Sequence, residues 1–152
     1  MPADAHVVFI GRINSPWKTR EDCPKNMDAA RAAGKQATLE LHTPFHAGLM
    51  GLAGTSHIVV LTWLHHAPRN LIVQKPRHAA EAKGVFSLRS PARPNPVGLD
   101  VVRLVDIDLQ TGTLTLEAVD VLDGTPVIDI KPYFASTDAF PDAVPPRRTT
   151  AR

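Results

Sequence analysis

Apolar residues recur along this chain in short runs, separated by polar stretches rich in proline. Residues 7–13 form the first run, expected as a strand closed by Asn14-Ser15-Pro16. A polar loop containing Pro24 follows over 17–26, and the alanine-rich stretch 27–35 suits a turn or two of helix. Over residues 36–42, Thr38 and Glu40 alternate with Leu39 and Leu41, the pattern of a half-buried strand. Residues 45–52 suit a short helix bounded by glycines. Residues 57–65 are a continuous apolar run rich in β-branched side chains, as in a central strand.

Further on, residues 68–83 are polar, basic and proline-bearing, a long loop; 84–88 read as a short strand leading into a proline-rich loop. Residues 101–108 read as a strand and Gln110-Thr111-Gly112 as a turn. Residues 113–121 are the return strand, with Leu114, Leu116 and Ala118 on one face and Thr115 and Glu117 on the other. Asp123-Gly124 marks another turn, and 125–130 a last strand ending at Lys131-Pro132-Tyr133. Six or seven strands with little helix between them argue for antiparallel pairing, because parallel strands need long crossovers. The expected fold is mainly β: a single antiparallel β-barrel-like domain over residues 1–140, with one or two short helices. Proline, arginine and threonine dominate 141–152, expected as a flexible C-terminal tail.

Composition narrows the picture modestly. A chain of 152 residues, 43% hydrophobic, can bury the core of one domain, and this composition argues against disorder over most of its length. The formal net charge of +2 permits an anionic partner without implying one. Cys23 is the only cysteine, so no intrachain disulfide forms, which suits a reducing cytoplasm. No basic segment followed by a long apolar core opens the chain, and the run 58–64 is too short to span a bilayer.

Two stretches carry candidate chemistry. Residues 86–99 hold Pro91, Pro94 and Pro96 together with Arg89, Arg93, Asn95 and Gly98. Prolines fix φ and bias the preceding residue toward extended geometry, while Gly98 can adopt angles closed to other residues. The polar side chains are thereby presented on a stiffened loop, which lowers the entropy lost on gripping a ligand. The plainer reading is a solvated polyproline segment, a peptide ligand for another domain. In residues 120–133, Asp120, Asp123, Asp129 and Lys131 stand among aliphatic residues. Here the plainer reading is a hairpin turn at Asp123-Gly124 with solvent-facing neighbours. Glycine-rich nucleotide-binding turns are absent, and the histidines lack zinc spacing. His65 and His66 are adjacent, and on a strand such neighbours face opposite ways, so no metal site is expected.

In these stretches the chain resembles the tRNA methyltransferase O family, also called TsaA-like or VirR-like proteins. Four blocks carry the resemblance: residues 10–17, 54–66, 86–99 and 122–133, together covering most of 7–134. The resemblance implies a β-barrel that uses S-adenosylmethionine to methylate N6 of threonylcarbamoyladenosine beside the anticodon of tRNA. It further implies a homodimer with cofactor near the subunit interface. Carried over by motif, the cofactor contacts are Pro24, Lys25, Asn26, His65, His66, Arg89, Leu99, Asp120, Val121, Leu122 and Asp123. Arg93, Asn95, Lys131 and Tyr133 stand as substrate-side candidates. No metal or membrane partner is implied.

The chemistry of that set is compatible with the cofactor. Arg89 or Lys25 suits its carboxylate, and Asp120 or Asp123 its ammonium or ribose hydroxyls. Leu99, Val121 and Leu122 suit its adenine face, with backbone groups of the turn before Gly124 reading the adenine edge. The acceptor nitrogen must lose a proton, and either an Asp or a His can serve as base. Departures are visible: Lys25-Asn26 stands where the family more often has Arg-Gln, and Leu88 and Ala92 also differ. Longer members carry a C-terminal domain, whereas this sequence ends at Arg152. That difference motivates the alternative expectation of a cofactor-binding or regulatory module without tRNA methylation. The basic stretch Pro68-Arg69, Lys75-Pro76-Arg77-His78 and Lys83 reads equally as a phosphate contact or as a solvated loop.

Overall fold

The computed structural model describes residues 4–147, which divide into two compact units. One comprises the described residues up to Leu64 with Gly98–Tyr133; the other comprises His65–Val97 and the described residues from Phe134 onward. In chain order the elements are β1 (Gly11–Asn14), α1 (Met27–Ala33), β2 (Ala37–Leu41), β3 (His57–Trp63), β4 (Val73–Gln74), β5 (Lys83–Gly84), β6 (Val97–Asp108), β7 (Thr113–Leu116), β8 (Pro126–Pro132) and α2 (Ala135–Asp138).

The first unit is a closed barrel with strand order β1-β2-β7-β6-β3-β8. The pairings β1–β2, β1–β8, β2–β7, β3–β8 and β6–β7 are antiparallel. The expected mainly-β, barrel-like fold is therefore the observed one. Closure removes the exposed edges that would otherwise invite aggregation. The period-2 alternation of the sequence becomes the inside and outside of the barrel. Ile13, Leu39, Leu41, Ile58, Val60, Val102, Leu104, Leu114, Leu116 and Val127 fill it. The continuous apolar run of β3 alternates too. Ile58, Val60 and Thr62 are buried, while Val59, Leu61 and Trp63 are half-buried.

Several boundaries differ from expectation for local reasons. The first strand begins only at Gly11; Val7, Val8 and Phe9 precede it and are 50%, 61% and 43% exposed. The expected helix over 45–52 is a 3-10 turn, Thr43–Leu49, entered at Pro44. Residues 84–88 are not a strand: β5 ends at Gly84 and a single 3-10 turn, Val85–Ser87, follows. Strand β7 stops at Leu116; Glu117 N–H still donates to Arg103 O on β6, and beyond it the chain is irregular. Conversely β6 starts at Val97, so Gly98 and Leu99 belong to a strand rather than to the proline loop. Gly98 does not use a left-handed angle; a Cβ there would run into Thr62 Oγ1 and the Leu64 side chain. Its service is space, not φ.

The second unit is built around the β4–β5 hairpin, paired Val73↔Gly84 and Gln74↔Lys83. Of the tail expected over 141–152, residues 148–152 lie outside the described residues. Residues 141–147 are exposed, and Lys83 Nζ donates to Arg147 O at 2.7 Å.

Candidate functional site

On the barrel, the candidate residues gather where the early loop meets the segment after β7. Ser15 Oγ–H donates to Val121 O at 2.8 Å, and Trp17 Nε1–H to Val119 O at 2.8 Å. Cys23 Sγ–H donates to Asp120 O at 3.2 Å. These three bonds stitch residues 119–121 to residues 15–23. They explain how an irregular segment keeps Val119 and Val121 buried, since buried backbone carbonyls need donors.

Asp123 completes the corner. Ser15 N–H donates to Asp123 Oδ1 at 2.9 Å and Lys18 Nζ to Oδ2 at 2.7 Å. The Lys18 hydrogen bond first, then that of the Ser15 amide, holds the Asp123 carboxyl below the usual carboxylate range. The turn is closed by Gly124, at φ 81°, a left-handed angle that glycine adopts without steric cost. Asp123 N–H donates to Trp17 O, Gly124 N–H to Ile13 O and Thr125 N–H to Leu122 O. The amides of Asp123, Gly124 and Thr125 are thus already engaged within the barrel unit.

What this corner offers a ligand is therefore its carboxylates and its apolar side chains. Asp120 is half-buried and Asp100, on β6, is buried. Burial first, then Asp120 and Asp100, push the Cys23 thiol up to about 11. The two carboxylates create a negative field at Cys23 in a partly desolvated place. Leu99 lies beside Asp100 on β6 and Leu122 is half-buried in the turn. Pro24 is half-buried, Lys25 exposed, and Asn26 caps α1, its side-chain oxygen accepting from Ala29 N–H at 2.8 Å. At the far end of β8, Lys131 Nζ pairs with Asp129 Oδ2 at 2.8 Å, and the Tyr133 ring lies 6.4 Å from that of His57. The structure thus brings Pro24 and Asp120–Asp123 to the loop region that Cys23 joins, and leaves Lys131 on β8 and Tyr133 just beyond it.

The second unit holds the remaining candidates. Arg93 donates from Nη1 to Leu88 O at 3.0 Å and Ser90 O at 3.1 Å, and from Nη2 to Val85 O at 2.9 Å. Its guanidinium is the internal clamp of the proline loop. Asn95 Oδ1 accepts from Arg69 Nη2 at 3.3 Å, and Arg69 Nε donates to Pro94 O at 2.8 Å. Pro96 is fully buried. The loop is held by internal bonds around Arg93 and Pro96, with Arg89, Pro91 and Asn95 exposed, which argues against a freely extended polyproline ligand. Arg89 is exposed at its rim. His65 and His66 lie beyond the end of β3, in a turn, so their rings are not held on opposite faces and approach to 3.8 Å between centroids. Among the described residues no group of three or more His, Cys, Asp or Glu is arranged to hold a metal. A shallow barrel cleft of about 300 Å³, lined by Gln36, Arg103, Leu104, Val105 and Glu117, contains none of the candidates.

Sequence reasoning missed Ser15, Trp17, Lys18, Cys23 and Asp100. Ser15 and Trp17 lie in the resembled block 10–17, and Asp100 carried a signal of its own, a carboxylate between Leu99 and Val101 in an apolar stretch.

Fold and site together define a small closed-barrel protein with an acidic, partly buried corner formed by loops. Residues 12–139 match the tRNA-methyltransferase O N-terminal domain. The chain is 38% identical over 129 residues, 85% of its length and 71% of the relative's, to a probable S-adenosyl-L-methionine-binding protein, VirR, of Rhizobium radiobacter. It is 34% identical over 142 residues to the tRNA (adenine(37)-N6)-methyltransferase of Escherichia coli, covering 88% of this chain and 60% of that one. The solved structure of TrmO from Pseudomonas aeruginosa superposes with a TM-score of 0.74 at 36% identity, over 95% of this chain and 62% of that one. The chain belongs to the tRNA-methyltransferase O family. It spans less than two thirds of the Escherichia coli enzyme and of that solved chain.

Proposed function

We propose that this protein is an S-adenosylmethionine-dependent methyltransferase of tRNA, and that its acceptor is N6 of threonylcarbamoyladenosine beside the anticodon. Kinship with the Escherichia coli enzyme across 88% of the chain carries the reading. The barrel corner supports it chemically. S-adenosylmethionine brings an electrophilic methyl group on a cationic sulfonium, beside an ammonium. A field that disfavours a thiolate at Cys23 favours such a cation.

On the barrel, Pro24, Lys25, Asn26, Leu99 and Asp120–Asp123 are the proposed contacts. Asp120 holds the ammonium or ribose hydroxyls, and Leu99 and Leu122 cover the adenine. Asp123, with both oxygens already bonded, acts by shaping the turn. Cys23 keeps its proton at neutral pH, because its thiol is pushed up to about 11, and so does not compete for the methyl group. His65, His66 and Arg89 are the second unit's candidate contacts. Asn95, Lys131 and Tyr133 are substrate-side candidates, and Arg93 contributes by positioning the loop. Methyl transfer is an in-line displacement, so alignment supplies much of the rate, and a carboxylate or imidazole of this set takes the acceptor proton.

Two copies pair in this reading, and the work is done in the cytoplasm, where tRNA is modified. Phe86 and Phe140 are 83% and 73% exposed, large apolar surfaces that a second copy would cover. Among the described residues no helix is long and apolar enough to cross a membrane.

Mass spectrometry of nucleosides from tRNA incubated with purified protein and labelled cofactor tests the proposal. Label in the N6-methylated nucleoside is expected, and its absence despite bound cofactor would count against methylation. That outcome would favour a cofactor-binding module.

A further inference from the structure

The formal charge of +2 conceals a division between the two units. Among the described residues the barrel unit carries eight Lys and Arg against twelve Asp and Glu, a formal −4. The second unit carries seven against three, a formal +4. The ion pairs Arg12–Glu40, Lys18–Asp123, Arg31–Asp28 and Lys131–Asp129 all join barrel residues. In the second unit Lys75 and Arg77 form no ion pair among the described residues.

Lys75 and Arg77 sit at the tip of the β4–β5 hairpin. Ala79 N–H donates to Pro76 O at 2.9 Å, which makes Arg77 and His78 the two corner residues of a turn. Lys75, Arg77 and His78 are all exposed. The base of the hairpin is anchored: Val85 N–H donates to Ile72 O at 2.9 Å, and Gln74 Nε2 bonds Ser90 Oγ in the proline loop that Arg93 clamps. The cations are thus carried on a tethered support. At physiological salt, fields reach only about 8 Å, so a local cluster matters more than the charge of the whole chain. The tip offers no aromatic or long aliphatic side chain over residues 75–82, and a lipid surface would want one.

We infer that the β4–β5 tip of the second unit, through Lys75 and Arg77, is a contact surface for the phosphate backbone of RNA. This rests on tRNA being the substrate. The side chains act as point charges on phosphates and read no sequence.

Labelled tRNA titrated with the full chain between about 50 and 200 mM salt tests it. The Lys75→Gln/Arg77→Gln double variant should bind several-fold more weakly. Its slope of log affinity against log salt should be shallower by about 1.4–1.8, the release expected of two phosphate contacts. Arg77→Lys keeps the charge and should keep the slope. Arg12→Gln/Arg103→Gln, which removes two barrel cations, should leave the slope unchanged. Cofactor affinity and thermal unfolding serve as controls for folding, and neither should move in the hairpin variants. A double variant with wild-type slope overturns this inference and leaves the tRNA reading standing. A wild-type chain that ignores tRNA overturns both, whether or not it binds phosphatidylserine vesicles.

Discussion

Replacing Arg93 by alanine removes a guanidinium that donates to three backbone carbonyls, those of Val85, Leu88 and Ser90. A hydrogen bond from a charged donor is worth about 1.5–3 kcal/mol when intact, and an orphaned buried carbonyl costs about 1–3 kcal/mol. Arg93 is half-buried, so water can rehydrate part of what is exposed. Discounting for that leaves a loss of roughly 2–4 kcal/mol, well below the sum of three full bonds. For a domain of this size that corresponds to a fall in Tm of about 4–16 °C. Arg93→Lys should recover only part, since one ammonium on a flexible stem cannot reproduce the planar fork. The assay is thermal unfolding of wild type, Arg93→Lys and Arg93→Ala, with cofactor affinity measured well below each transition. The expected order of stability is wild type, then lysine, then alanine. An alanine variant as stable as wild type, with unaltered proline-loop protection in hydrogen exchange, would refute the clamp. Retained folding with selectively lost tRNA binding would instead make Arg93 a direct substrate contact.

Three further outcomes follow from the same geometry. Because Lys18 and the Ser15 amide hold the Asp123 carboxyl low, its stabilisation is present above the unfolded carboxylate range, near pH 3.9, and is lost as pH falls through the depressed folded value; Asp123→Asn should flatten this part of the acid limb in pH-dependent denaturation, while the part due to Asp108, held low by the Thr111 and Gln110 amides, persists. The Cys23 thiol, pushed up from 9.0 to about 11, should react with iodoacetamide at pH 8 about a hundredfold more slowly than an unperturbed thiol, and its stabilising share should be present below pH 9 and vanish as pH rises toward 11. Gly98→Ala places a methyl against Thr62 Oγ1 and should cost about 1–3 kcal/mol in denaturant unfolding; no change would show that β3 and β6 separate there at no cost.

The barrel was legible because its strands alternate with period 2 and its turns are punctuated by glycine. The expected strands 36–42 and 57–65 are where the sequence pattern and the structure agree best, as β2 and β3. Gly84 to Leu88 failed because five residues with apolar Val85, Phe86 and Leu88 satisfy a strand pattern as well as a 3-10 turn. The proline loop was over-extended at its end because a glycine after prolines reads as a breaker, whereas Gly98 is a strand residue that admits Thr62. Pairwise closeness without sequence proximity left no trace at all. Nothing in Ser15, Trp17 or Cys23 announces that each donates to a carbonyl more than ninety residues away.

The arginines of the second unit show why residue type alone misassigns a site. Arg89, Arg93, Arg69 and Arg77 are chemically identical, and each suits an anion. What separates them is what their surroundings already supply. Arg93 is surrounded by the Val85, Leu88 and Ser90 carbonyls of an irregular segment, so its donors are drawn inward. Arg69 is drawn to Pro94 O and Asn95 for the same reason. Arg77 sits on a turn whose backbone closes itself through Ala79 N–H and Pro76 O, so the turn makes no such demand. Arg93 and Arg69 are thus used in stiffening the proline loop, whereas Arg89 and the cations of the neighbouring hairpin are turned to solvent. Stiffness and charge are supplied by different arginines of one unit, and a variant that conflates them would report lost rigidity as lost binding.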